Sequence, residues 1–213
     1  MTDENKWLRM VSADPGHSRR YIQRFRDLAA GGMDLGGEAR MIDAMAGRGA
    51  RILDAGCGTG RVGGFLLEAG HEVVGVDLDP ELIAVARAEH PKGEWHIGDL
   101  AELDLDGHFD VAVCAGNVIT FVAPSTRVEI LRRLGAHLRP EGRLAVGFGA
   151  DRGYAFDAFR ADAATAGLKP ELLLSTWDLR PFTPESDFLV AVLARTAEEA
   201  AARSDIDDGH SRR

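Results

Sequence analysis

The sequence predicts an α/β fold: a three-layer sandwich on a seven-stranded, mostly parallel sheet whose last strand is antiparallel. Three observations predict it. Apolar runs of strand length alternate with segments of helical periodicity from residue 51 to residue 195. The first such run, Arg51-Ile52-Leu53-Asp54-Ala55, opens directly into the glycine-rich turn Gly56-Cys57-Gly58-Thr59-Gly60 and then into a helix. The last two runs are separated only by residues 178–186. That is too short for a crossover helix, so these two strands pair antiparallel.

The elements follow in order. Residues 1–16 read as a loosely held arm ending at the turn Asp14-Pro15-Gly16. A helix from about Ser18 places Tyr21, Phe25 and Leu28 on one face and stops at Gly31-Gly32. Residues 1–37 thus form an arm and a lid helix. A second helix over 38–46 turns Met41, Ile42 and Met45 inward, and Gly47 and Gly49 close it. The first strand (51–55) is followed by a helix with Val62, Phe65, Leu66 and Ala69 at helical spacing. The second strand (72–77) leads to a helix that starts at Pro80, a favoured first position, and buries Leu82, Val85 and Ala86. Strands over 94–98 and 109–114 come next. A helix from about Ser125 uses Ile130, Leu131, Leu134 and Leu138, and Pro140-Glu141-Gly142 turns the chain into a strand over 143–148. A helix over 154–166 sets Phe156, Phe159, Ala163 and Ala166 inward, before strands over 171–177 and 187–195. The main domain therefore runs over 38–195. Residues 196–213 are small, charged and poor in apolar groups, the composition of a disordered tail.

Composition narrows the function classes. With 45% hydrophobic and 28% charged residues, the 213-residue chain is an ordinary globular domain. No apolar run has the roughly 18 residues of a membrane span, and the first ten residues lack the apolar core of a signal peptide. Two cysteines, Cys57 and Cys114, can form neither a disulfide framework nor a zinc site. Both fall in strand-end segments that should be reduced and partly buried, which points to the cytoplasm. A net charge of −9 argues against a nucleic-acid partner. The cluster Arg19, Arg20, Arg24 and Arg26 reads as the solvated side of an amphipathic helix, with a grip on an anion as its functional alternative.

The candidate site is carried by three features in order. Glycines at 56, 58 and 60 permit positive φ angles and let a ligand lie against bare backbone. Asp77, 21 residues after Gly56, sits at the tip of the second strand, able to accept from both hydroxyls of a ribose. Gly98-Asp99-Leu100 follows the third strand, where a carboxylate and a backbone N–H can meet an adenine edge. Asp79, just before Pro80, is the better helix cap, which leaves Asp77 free. The dinucleotide fingerprint is G-x-G-x-x-G. Here the spacing is G-x-G-x-G, and Arg61 stands where that pattern has its third glycine.

Leu53-Asp54-Ala55-Gly56-Cys57-Gly58-Thr59-Gly60, Val76-Asp77-Leu78-Asp79, Gly98-Asp99-Leu100, Phe109-Asp110-Val111 and Leu138-Arg139-Pro140-Glu141-Gly142-Arg143-Leu144 resemble the successive motifs of class I S-adenosylmethionine-dependent methyltransferases. The resemblance covers about residues 38–195 and implies a Rossmann-like fold with S-adenosyl-L-methionine as cofactor. It also implies residue roles. The Gly56–Gly60 turn, Cys57 and Gly58 included, would pass under the methionine half, with Asp54 near its amino group. Asp77 would hold the ribose hydroxyls, Leu78 would pack on the adenine face, and Asp99 and the Leu100 N–H would meet the ring. Ala115, Gly116 and Asn117 would lie beside the sulfonium and its methyl group. The segment Gly116-Asn117-Val118-Ile119-Thr120-Phe121 resembles a small-molecule branch of the family found in actinobacteria.

Transfer of a methyl group from a sulfonium is an in-line displacement with a good leaving group, so alignment and exclusion of water are the main demands on the protein. A base is needed only when the acceptor must lose a proton. No histidine–aspartate dyad and no metal-ligand cluster is evident in the sequence. Asn117 is the candidate positioning residue, and the Tyr21 hydroxyl is a candidate partner for the cofactor carboxylate. A small-molecule acceptor should be met by the strand-end loops: Asn117, Thr120 and Phe121; Asp151, Arg152 and Tyr154; Trp177, Asp178, Arg180 and Phe182; and the lid residues His17 and Tyr21. The competing readings are a dinucleotide-dependent oxidoreductase, separated by its choice of cofactor, and a non-catalytic cofactor-binding module, separated by absence of turnover. The acceptor atom and the oligomeric state are not written in these motifs.

Overall fold

A computed structural model describes residues 3–196, so the expected tail lies outside the described residues. Seven strands form one sheet in the order β3-β2-β1-β4-β5-β7-β6: β1 Arg51–Ala55, β2 Glu72–Asp77, β3 Glu94–Ile97, β4 Phe109–Cys114, β5 Leu138–Gly149, β6 Leu168–Leu174 and β7 Phe188–Arg195. All neighbouring pairs are parallel except those of β7, which runs antiparallel to both β5 and β6. The predicted three-layer Rossmann-like arrangement is the observed one. The strand order reverses between β1 and β4, and the crevice at such a switch point is where open α/β sheets hold ligands.

Helices α3 (Gly37–Met45), α4 (Arg61–Glu68) and α5 (Pro80–Glu89) cover one face. Their Ala39, Ile42, Val62, Leu66, Ile83 and Ala86 pack with Ile52, Val73 and Val111 of the sheet. Helices α7 (Arg127–Ala136) and α8 (Phe156–Thr165) cover the other, where Ile130, Leu131, Leu134, Phe159 and Ala163 meet Leu144, Val146 and Phe148. Phe109, Phe148 and Phe159 are fully buried, each removing apolar surface worth about 2–3 kcal/mol from water.

Several sequence expectations need correction. Residues 3–16 are not a loose arm. Asn5 accepts from the N–H groups of Trp7 and Leu8 and caps helix α1, Lys6–Ala13. The segment is tied down by Lys6 Nζ donating to the Arg152 carbonyl (2.7 Å) and by Asp3 accepting from the Ser125 N–H (3.0 Å). Helix α2, His17–Ala30, follows; Ser18 and Ile22 are its buried residues, and Tyr21, Phe25 and Leu28 are half-buried. Phe65 and Ala69 face solvent, and in α5 Ile83 is buried with the expected Leu82 and Ala86, whereas Val85 is only half-buried. Leu138 belongs to β5 and not to the preceding helix, because the His137 carbonyl already accepts from Phe109 N–H (2.8 Å). Residues 139–142 are then accommodated as a bulge between the pairs Phe109–Leu138 and Val111–Arg143. Strand β6 begins three residues earlier than expected. It is an edge strand with Lys169, Pro170 and Glu171 exposed, a position that tolerates proline. Trp177 lies beyond it, in a turn closed by Ser175 N–H donating to the Arg180 carbonyl.

Trp95 in β3 has no counterpart in the sequence expectations. A Cβ on Gly60, Gly63, Gly75 or Gly93 would lie 2.3–2.9 Å from its indole, so four glycines form its seat. Its Nε1 donates to the His90 carbonyl (2.9 Å). The glycine-rich turn rests on this ring.

Candidate functional site

The site is built where β1 ends. The Val76 carbonyl at the end of β2 accepts from the Gly56 and Cys57 N–H groups, which bends the chain out of the sheet. Gly56, Gly58 and Gly60 all have positive φ, 78°, 55° and 75°. A Cβ on Gly56 would also strike the Val118 side chain at 2.4 Å, so both conformation and space demand glycine there. Asp77 holds the turn: its Oδ2 accepts from Gly58 N–H and its Oδ1 from Asp79 N–H, both at 2.9 Å. Burial raises the Asp77 pKa, against the pull of those N–H groups.

Asp79 is the N-cap of α5, as expected, and accepts from Glu81 N–H (2.8 Å). Its second oxygen takes two donors from the N-terminal helices, Trp7 Nε1 at 2.8 Å and Ser18 Oγ at 2.5 Å. Trp7 in turn sits edge-to-face with His17, Tyr21 and Phe121, at 4.9, 5.2 and 6.0 Å between ring centroids. Helices α1 and α2 are thereby roofed over the strand ends.

Between floor and roof lies a partly open cleft, apolar over most of its lining with a few polar groups, the character of a small-molecule site. Of the predicted residues, Gly56, Gly58, Asp77, Leu78, Asp99, Leu100, Gly116 and Tyr21 line it. Asp99 spends one oxygen capping a 3₁₀ turn, accepting from Ala101 N–H (2.9 Å). The other predicted residues stand behind this lining. Asp54 is buried and accepts from Gly63 N–H (3.0 Å); its pKa is pushed up to about 7, mainly by burial, with Asp77 and Glu38 adding and Arg61 opposing. The Cys57 thiol is pushed up by burial, and Cys57 and Cys114 are both free and buried. Gly60 packs on Trp95, and Ala115 is buried. Asn117, left-handed at φ 65°, starts the short helix α6 (Val118–Phe121), and its Oδ1 accepts from the Gly149 N–H (2.8 Å). Its carboxamide thus joins the ends of β4 and β5.

Asn5 and Trp7 line the cleft and were missed. A cap-type residue at 5 followed by Trp7, Met10 and Val11 at helical spacing is the signal that marks them. The strand-end loops divide: Phe121 lines the cleft, whereas Trp177 packs with Met41 and Leu174 and Phe182 lies against Phe156. Asp178 and Arg180 make an exposed ion pair (3.4 Å). The arginines of α2 are exposed, with Arg20 paired to Asp14 and Arg26 to Glu89. Arg61 sends its guanidinium to Glu38 in a two-pronged pair (2.6 and 3.0 Å), anchoring α4 to α3. Burial pushes the Tyr21 hydroxyl up to about 12, with Asp77 and Asp54 adding and Arg61 opposing. It is therefore a hydrogen-bond donor at neutral pH.

Comparison with known proteins decides the family. A crystal structure described as a TehB-like SAM-dependent methyltransferase from Corynebacterium glutamicum is 48% identical to this chain, with a TM-score of 0.84; the match covers 86% of this chain and 100% of that one. The chain belongs to the class I S-adenosylmethionine-dependent methyltransferases. Residues 52–142 of this family member match the family described as "Methyltransferase domain". Magnesium-protoporphyrin O-methyltransferase of Rhodobacter capsulatus is 34% identical over 141 residues, covering 63% of this chain and 59% of that protein. An aminodideoxyglucose N,N-dimethyltransferase of Streptomyces fradiae is 30% identical over 132 residues, covering 62% and 48%. This methyltransferase-family chain thus matches only about half the length of those curated relatives. No described helix is long and apolar enough to cross a membrane.

Proposed function

We propose that the protein is an enzyme that moves a methyl group from S-adenosyl-L-methionine to a small molecule by in-line displacement. The observation that carries this reading is the convergence, in one cleft, of the bare Gly56–Gly58 backbone, Asp77, Leu78, Asp99 and Leu100. The residues present fit the cofactor. Asp77 keeps acceptor capacity beyond its two backbone bonds, since a carboxylate can accept about four, and ribose hydroxyls are the donors it suits. Leu78 and Leu100 offer apolar contact to a purine, and Asp99 an acceptor for its amino group. Asp54 lies beneath the end of the site assigned to the amino acid half, and the Tyr21 hydroxyl is a donor for a carboxylate. Bound there, the cofactor supplies an electrophilic methyl group on a sulfonium.

The chain's own task is alignment and dryness. Trp7, Tyr21 and Phe121 roof the cleft and exclude water from it. Asn117 fixes the β4 loop against β5, setting the place of Gly116 at the cleft wall. The relatives support a small-molecule acceptor: the Streptomyces protein is named for an amino sugar and the Rhodobacter protein for a porphyrin. The Corynebacterium relative supports placement in the actinobacterial branch. Two free, buried thiols support a cytoplasmic setting.

Calorimetric titration with S-adenosylmethionine, S-adenosylhomocysteine, NAD and NADP tests the cofactor. Binding of the first two alone is expected, and binding of NAD instead would overturn the assignment. Label transfer from methyl-labelled cofactor to small acceptors tests the activity. Tight cofactor binding with no turnover on any acceptor would support a non-catalytic module.

A further inference from the structure

The loop after β5 brings together three positive charges, Lys6, Arg127 and Arg152. Many arginines have carboxylate partners, among them Arg26 with Glu89, Arg61 with Glu38, Arg133 with Glu129 and Arg160 with Asp157. Among the described residues no carboxylate lies within ion-pair reach of Lys6, Arg127 or Arg152. This is so although the chain carries a net charge of −9.

Two of these cations shape the loop. Lys6 Nζ donates to the Arg152 carbonyl (2.7 Å), and Arg127 Nη2 donates to the next carbonyl, that of Gly153 (3.0 Å). Arg127 is only 9% exposed, lies 3.8 Å over the Tyr154 ring, and has a buried Nε with no acceptor. A buried cation without a counter-charge is costly. Two nearby carboxylates are otherwise engaged: Asp162 accepts from the Tyr154 hydroxyl (2.5 Å) and Asp3 from the Ser125 N–H. Asp151 precedes Arg152 in a left-handed turn, φ 58°.

The third cation is not used in shaping the loop. Arg152 contributes its carbonyl to Lys6, while its exposed side chain folds back over the end of β5. A Cβ on Gly149 would lie 3.3 Å from Arg152 Nε and 3.7 Å from Asn117 Oδ1. The guanidinium stem therefore stands above the strand ends at Asn117, one residue from the Gly116 wall of the cleft. Stapling of the loop accounts for Lys6 and Arg127; it leaves the Arg152 head group without a task.

We propose that the methyl acceptor carries a carboxylate, which Arg152 holds at the rim of the cleft in the positive field of Lys6 and Arg127. The planar guanidinium matches a carboxylate with two parallel hydrogen bonds. The anion would supply the counter-charge that this corner lacks. This inference rests on the cleft being the methyl-donor site.

The test uses the full chain saturated with S-adenosylhomocysteine, at low salt. Benzoate and benzamide, and succinate and succinamide, are titrated calorimetrically as matched probes, with inorganic phosphate alongside. Each carboxylate is expected to bind about tenfold tighter than its amide, and R152Q should erase that preference while leaving S-adenosylhomocysteine affinity unchanged. Equal binding or non-binding of the paired probes, or a preference that survives R152Q, would overturn the proposal. Phosphate binding more tightly than both carboxylates would overturn the carboxylate assignment. Failure of S-adenosylhomocysteine to bind would instead sink the cofactor reading on which the inference stands. An unchanged S-adenosylhomocysteine affinity also shows that R152Q is folded.

Discussion

Replacing Asp54 with asparagine should make the protein more stable at alkaline pH and remove one of its pH dependences. Asp54 is 2% exposed, and its pKa stands near 7 instead of 3.8, with burial the largest cause. A carboxyl moved that far has about 4 kcal/mol of differential free energy between folded and unfolded chains. The folded chain keeps this proton between pH 3.8 and about 7, whereas the unfolded chain releases it. Stability from this group is therefore greatest below the unfolded pKa, falls as pH rises through that window, and is level above it. Asparagine keeps an oxygen for the Gly63 N–H and has no proton to lose. Between pH 5 and pH 8 the variant should gain about 3 kcal/mol on the parent. Urea unfolding followed by circular dichroism at pH 5, 6.5 and 8 measures the difference. A gap between the two proteins that stays level with pH would refute the reasoning. The same proton connects to function. Under the proposed placement of the cofactor, its ammonium group would favour the Asp54 carboxylate, so binding of S-adenosylhomocysteine at pH 6 should release a proton, visible as a buffer-dependent binding enthalpy.

Asp77→Ala should weaken S-adenosylhomocysteine binding by about 1–3 kcal/mol, since hydroxyl donors lose a charged acceptor and the Gly58 N–H loses its partner; unchanged affinity by calorimetry would remove Asp77 from the ribose role. Asp79→Ala removes a helix cap, costing about 1 kcal/mol, and releases Trp7 and Ser18 together. Trypsin should then cut at Arg19 or Arg20 faster than in the parent, and equal digestion rates would show that the roof is held by other contacts. Asn117→Ala orphans the Gly149 N–H and should lower turnover more than cofactor affinity, with equal losses assigning Asn117 to the cofactor pocket alone.

The floor of the cleft was legible because each part is written locally. A strand that bends into a helix needs glycine at positive φ, and Gly56, Gly58 and Gly60 announce that need in five residues. Asp77 is likewise marked by its place at the end of a strand. The roof was not legible, because nothing near Trp7 in the sequence says that Asp79 or Phe121 will meet it. Trp95 is a similar case. Gly60, Gly63, Gly75 and Gly93 each read singly as a turn or a weak position, and only the folded chain assembles them around one indole. The bulge at 139–142 was mistaken for a turn because Pro140 and Gly142 mark both, and the pairing of Leu138 with Phe109 decides between them.

The latch at Asp79 also bears on the order of folding. Helices α1 and α2 precede in the chain the partners that hold them, which come much later: Asp79 for Trp7 and Ser18, Phe121 for Trp7, Arg152 for Lys6. Contacts of such long sequence separation form late, because the intervening loop must be closed first. During synthesis Trp7 and Ser18 wait for Asp79, and Trp7 for Phe121, until the sheet has been made. The roof precedes its supports in sequence and follows them into place.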